Sequence, residues 1–124
     1  MTIPHVAFRS SDSLHRKTDG FIRRMQDGAT RPEPQELEAI MSLFIDEALT
    51  AFLTRAAEAA QLSPGMMKVV RMTTQTINKT THLVVSRSVK KLDLQQNRDA
   101  ASYMDQVRQP AAGEDFWYVA FPVD

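Results

Sequence analysis

The sequence predicts an all-α protein: a long antiparallel helical hairpin with two shorter helices, assembled as a helical-bundle homodimer. Three observations lead there. Glycine is scarce, four in 124 residues with Gly65 alone between Gly28 and Gly113, so turns are few and long elements are favoured. Apolar residues recur at three- and four-residue spacing from Leu37 to Ala60. The run Ser63, Pro64, Gly65 then breaks that pattern in the manner of a helix start, with a serine cap and a proline at the first helical position.

Taken in order, Leu14, Thr18, Phe21, Ile22 and Met25 share one helical face within residues 11–27, opened by Ser11, Asp12 or Ser13 and closed by Gly28. Pro32 and Pro34 make residues 30–34 a corner. The second helix, 35–62, is the clearest element. Its apolar side chains cover an arc of roughly 200°, wider than the ~100° stripe that one neighbour covers, so it is expected to be buried on two sides. The third helix, 64–92, likewise shows two apolar stripes, Met66 to Leu92 and Val69 to Leu83. Its β-branched residues favour a strand over 80–90, but no glycine or proline supplies a turn between Met66 and Gln109, so a helix is expected with an interruption near Asn78. Asp93 or Asn97 caps a fourth helix that Pro110 ends. Residues 111–115 read as a loop. The segments 1–10 and 110–124 read as extended ends of a single helical domain spanning 1–124, with His5 to Phe8 and Phe116 to Phe121 as short strands that pair or pack on the bundle.

Charge is segregated beneath a net charge of zero. Between Ser63 and Leu92 lie Lys68, Arg71, Lys79, Arg87, Lys90 and Lys91 and no acid, whereas residues 33–62 carry six acids against Arg55 alone. Such blocks complement one another within a chain or between two copies, or keep a basic face for an anionic partner. Lys68, Arg71, Lys79, Arg87 and Lys90 form that candidate face. Cysteine is absent, which removes disulfides, thiolate metal sites and a thiol nucleophile and suits a reducing cytoplasm. No signal peptide is read at the start, and no apolar run reaches the ~18 residues that cross a bilayer, so a membrane partner is not expected.

Catalytic chemistry has no visible home. His5, His15 and His82 lack metal-ligand spacing, and no phosphate-binding glycine loop, nucleophile elbow or dinucleotide fingerprint occurs. His82 reads as a solvated histidine. Adjacent carboxylates such as Asp46 and Glu47 diverge on a helix. The sequence therefore predicts no enzyme, no metal and no cofactor.

Two doubly apolar helices with little else to cover them imply isologous pairing, with Leu49, Phe52, Leu53, Val69, Met72 and Leu83 as the dimer or partner interface. Phe116, Trp117 and Tyr118 serve as core anchors or as a docking segment. In size and architecture the expected molecule resembles the small helical antiactivators that sequester bacterial quorum-sensing transcription factors, a resemblance that carries over no site residue. It implies a non-enzymatic cytoplasmic regulator or adaptor that binds itself and another protein. The alternative is a helical-hairpin nucleic-acid binder of the ROP type, using the basic face of residues 68–91. A third reading, an enzyme site assembled between subunits, calls for a deep polar pocket holding a perturbed carboxylate or His82.

Overall fold

The computed structural model describes the backbone of residues 5–111 and 114–120 and the side chains of residues 8–106. The chain is mostly helical. Strand β1 (His5–Arg9) leads into α1 (Asp12–Gln26) and then α2 (Pro34–Leu49), which passes through a π-helical turn (Thr50–Thr54) into α3 (Arg55–Ala59). The long helix α4 (Pro64–Val89) and α5 (Leu94–Val107) follow, then β2 (Arg108–Ala111) and β3 (Glu114–Ala120). The three strands form one antiparallel sheet in the order β1-β3-β2, with His5 opposite Ala120 and Arg108 opposite Trp117.

The helix ends obey the chemistry of their capping residues. Ser11 Oγ accepts from Leu14 N at 3.1 Å to start α1, and Gly28, at a φ of 87° that an L side chain resists, follows its last turn. Ser63 Oγ accepts from Met66 N at 3.3 Å, with Pro64 behind it. Of the two candidates for the cap of α5, Asp93 takes the role: its Oδ1 accepts from Gln96 N at 2.8 Å while Gln96 Oε1 accepts from Asp93 N at 2.9 Å, a reciprocal capping box.

Four expectations are corrected. The second helix is not continuous to residue 62. The π turn interrupts it at 50–54, and α3 stops at Ala59, with Gln61 in the left-handed region at φ 54°. Helix α4 runs through 80–89 as expected but has no interruption at Asn78. Thr74, Thr76 and Thr81 donate to the carbonyls of Val70, Met72 and Ile77 at 2.8, 3.0 and 2.6 Å, so β-branched residues sit in the helix with their hydroxyls satisfied. Helix α5 ends at Val107, before Pro110, which lies in β2. That strand is at the sheet edge, where a missing backbone donor is tolerated. Finally, the expected loop at 111–115 is mostly strand, Ala111 closing β2 and Glu114 and Asp115 opening β3; residues 112–113 lie outside the described residues.

The core gathers at one end of the molecule. Leu14, Phe21, Ile22 and Met25 from α1 meet Leu37 and Ile40 of α2, Ala101 and Met104 of α5, and Val85 and Val89 from the last turns of α4. Phe8 joins them, its ring 5.3 Å from Phe44 and 6.0 Å from Phe52. Asn97 is fully buried and ties two helix starts together: its Oδ1 accepts from Glu33 N at 3.2 Å and its Nδ2 donates to Asp93 O at 2.8 Å. Asn97→Ala leaves the Glu33 amide without its partner, while Asp93 O keeps the backbone N–H of residue 97 at 3.0 Å, so a loss of about 2 kcal/mol is expected in urea unfolding, with an unchanged m-value. A loss within ~0.5 kcal/mol would show that water replaces the amide there.

Candidate interaction surface

Beyond the core, α3 and most of α4 extend as an arm without an interior. Between Phe52 and Val84 the only buried residue is Ala57. Met66, Val69, Met72 and Leu83 are 52 to 61% exposed, as large apolar side chains on a helix about 30 Å long over that stretch. Three of these, with Phe52 and Leu53 at 42 and 41%, are residues that the sequence assigns to an interface; the sixth, Leu49, is half-buried. Phe52 is partly used within the chain through its contact with Phe8. The side chains of Phe116, Trp117 and Tyr118 lie outside the described residues, while their backbone forms the middle strand of the sheet.

The acids of the second helix do not answer the bases of α4. Glu47 accepts from both the backbone N and the Oγ of Ser11 at 2.7 Å. Asp46 takes Asn78 Nδ2 at 3.4 Å, so these neighbouring carboxylates diverge as expected. Glu33 accepts from Arg24 Nε at 2.8 and 2.9 Å, and this hydrogen bond, opposed by burial and aided by the charges of Glu33 and Glu36, holds the Arg24 guanidinium above its ordinary pKa. Among the described residues, no ion pair or side-chain hydrogen bond engages Lys68, Arg71, Lys79, Arg87, Lys90 or Lys91. Charge pairing inside one chain is thereby corrected: the basic edge of α4 is left over.

Two concavities flank α4. On one side α2, α4 and α5 enclose an apolar cleft of about 610 Å³, lined by Leu37, Ile40, Met41, Phe44, Val84 and Tyr103 among others. On the other, an open depression of about 840 Å³ gathers Glu38, Gln75, Asn78, Lys79, His82 and Ser86. His82 is not merely solvated there, since its Nδ1 lies 3.3 Å from Ser42 Oγ. Glu38 lines the same depression but makes no hydrogen bond or ion pair with His82, so the Ser42–His82 contact has no carboxylate to orient the imidazole. Among the described residues no three histidine or carboxylate side chains converge as a metal site, and no helix is long and apolar enough to cross a membrane.

The spacing of α4 carried the apolar signal, and sequence reasoning found it. It missed the cleft, which depends on the angle between α4 and α5, and it missed Tyr103, 60% exposed at the rim. Comparison of the chain with protein-family models, curated proteins and solved structures gives no match.

Proposed function

We propose that this chain is a non-enzymatic helical regulator or adaptor that acts by protein–protein interaction, working in the cytoplasm as a homodimer. The observation that carries the reading is the arm, α3 and the exposed length of α4, where Ala57 is the only buried residue between Phe52 and Val84. Two helices with apolar faces and no third layer are a partner-dependent structure, because one helix pair cannot cover both stripes. The unpaired cations Lys68, Arg71 and Lys79 add the chemistry of the second partner, an acidic protein surface. Sequestering a transcription regulator is one such task.

Sedimentation at micromolar concentration is expected to give twice the 14.0 kDa monomer mass. Paired baits, the natural chain and its Lys68→Ala, Arg71→Ala, Lys79→Ala variant, then test the second partner in extracts of the native host. One acidic protein retained by the first and lost by the second supports the reading; a monomer that retains nothing sinks it.

The same unpaired cations keep one alternative alive, a nucleic-acid backbone as the anionic partner. That reading requires affinity for duplex or structured RNA that falls with salt at a log-log slope of several units. The expected result is no such binding, because a chain with zero net charge lacks the basic excess of nucleic-acid binders. Tight, salt-sensitive binding abolished in the triple variant would replace the regulator with the nucleic-acid binder.

A further inference from the structure

We propose that the outer face of α4 is a self-complementary seam along which two copies of the chain pair α4 against α4, antiparallel, about a two-fold axis passing between Thr73 and Thr76. This rests on the homodimer reading above and adds which face is used and in which direction. The seam is Met66, Val69, Thr73, Thr76, Thr80 and Leu83. These residues alternate spacings of three and four without a break, the repeat that keeps one helix stripe against another, and every one of them is exposed.

The direction follows from the order of large and small side chains along the seam. About that axis Met66 of one copy faces Leu83 of the other, Val69 faces Thr80, and Thr73 faces Thr76, so large residues meet at the ends and threonines at the centre. The hydroxyl of Thr76 is already given to Met72 O at 3.0 Å, which leaves its methyl for the seam. Beside the seam, Ile77 of one copy comes next to Val70 of the other, and the aliphatic stem of Lys79 lies over Met72.

The surface is also the right size. Met66, Val69, Met72, Ile77 and Leu83, 39 to 61% exposed, leave on the order of 500 Å² of apolar surface per copy, as functional patches on monomers do. Complete burial of these side chains in both copies removes about 1,000 Å², and the threonines and lysine stems add to it, which reaches the size at which a specific interface begins. The same stagger lays the Ser63 end of one arm beside Val84 at the rim of the apolar cleft of the other copy, so the arm tip and the cleft, each uncovered alone, are brought together.

Because the chain contains no cysteine, introduced thiols report the geometry cleanly. Met66→Cys and Leu83→Cys are made separately, at positions 52 and 61% exposed, and far-UV circular dichroism checks that each keeps its fold. Under mild oxidation neither variant alone is expected to crosslink, since in an antiparallel pair like sites lie about 25 Å apart. An equal mixture is expected to give a disulfide-linked dimer at the statistical share of mixed pairs. Crosslinking of either variant by itself means a parallel seam and overturns the proposal. A dimer by sedimentation that gives no crosslink in the mixture places the interface elsewhere, overturning the seam but not the homodimer. A monomer overturns both.

Discussion

Deletion of residues 114–124 is expected to lower the melting temperature by roughly 10–20 °C, the equivalent of about 3 kcal/mol in a chain of this size. The reason is topological. Strand β3 is the middle of the sheet, and both of its neighbours pair only with it, β1 over five residue pairs and β2 over four. Without it, β1 loses every cross-strand hydrogen bond and is no longer held where it seats Phe8. That ring is 7% exposed and meets Phe44 at a tilt and Phe52 edge to face, and losing a buried phenyl costs about 3–5 kcal/mol. The truncated chain should also bind an apolar dye, since Phe44 and the root of the arm become accessible. Melting followed by circular dichroism reads this without Trp117, which the deletion removes. An unchanged melting temperature with loss of the acidic partner would assign the segment to docking instead, and a truncated protein that keeps both would show that the sheet contributes nothing to either.

The helices were legible in the sequence because their signals are local. Ser11, Gly28, Ser63 and Pro64 act through their own backbone, and the buried set of α1, Leu14, Thr18, Phe21, Ile22 and Met25, is the set its periodicity names. The π turn was not legible: no glycine or proline lies between Pro34 and Pro64, and one extra residue in a turn changes the phase of the apolar stripe without removing any apolar residue from it. The sheet was half legible. The apolar composition of residues 5–8 and 116–121 marked two strands, while β2, containing Pro110 and no aromatic residue, resembles a helix terminus by every local rule. For the candidate surface, sequence named Val69, Met72 and Leu83 because spacing puts them on one stripe. It did not separate the part of α4 that enters the core, Val85 and Val89, from the part that leaves it, since both carry the same residue types. Which stretch of a uniform helix finds neighbours is decided by chain segments far away in sequence, here α1 and α5.

That division sets up the second large effect. Phe21→Ala is expected to destabilise the protein by about 3–5 kcal/mol, a third or more of the stability of a typical domain. Phe21 is fully buried at the centre of the core, among side chains of α1, α2 and α5, and the vacated volume cannot collapse without moving two helices. The corresponding fall in melting temperature is roughly 10–25 °C, measured at one fixed protein concentration because dimerisation itself contributes to the apparent value. The seam residues of α4 touch none of this core. A substitution there, such as Leu83→Cys, should therefore add to Phe21→Ala within about 0.5 kcal/mol, as independent sites do. A large coupling between the two would mean that the arm and the core fold as one unit, and that the exposed face of α4 is held in place by the monomer rather than reserved for a second copy.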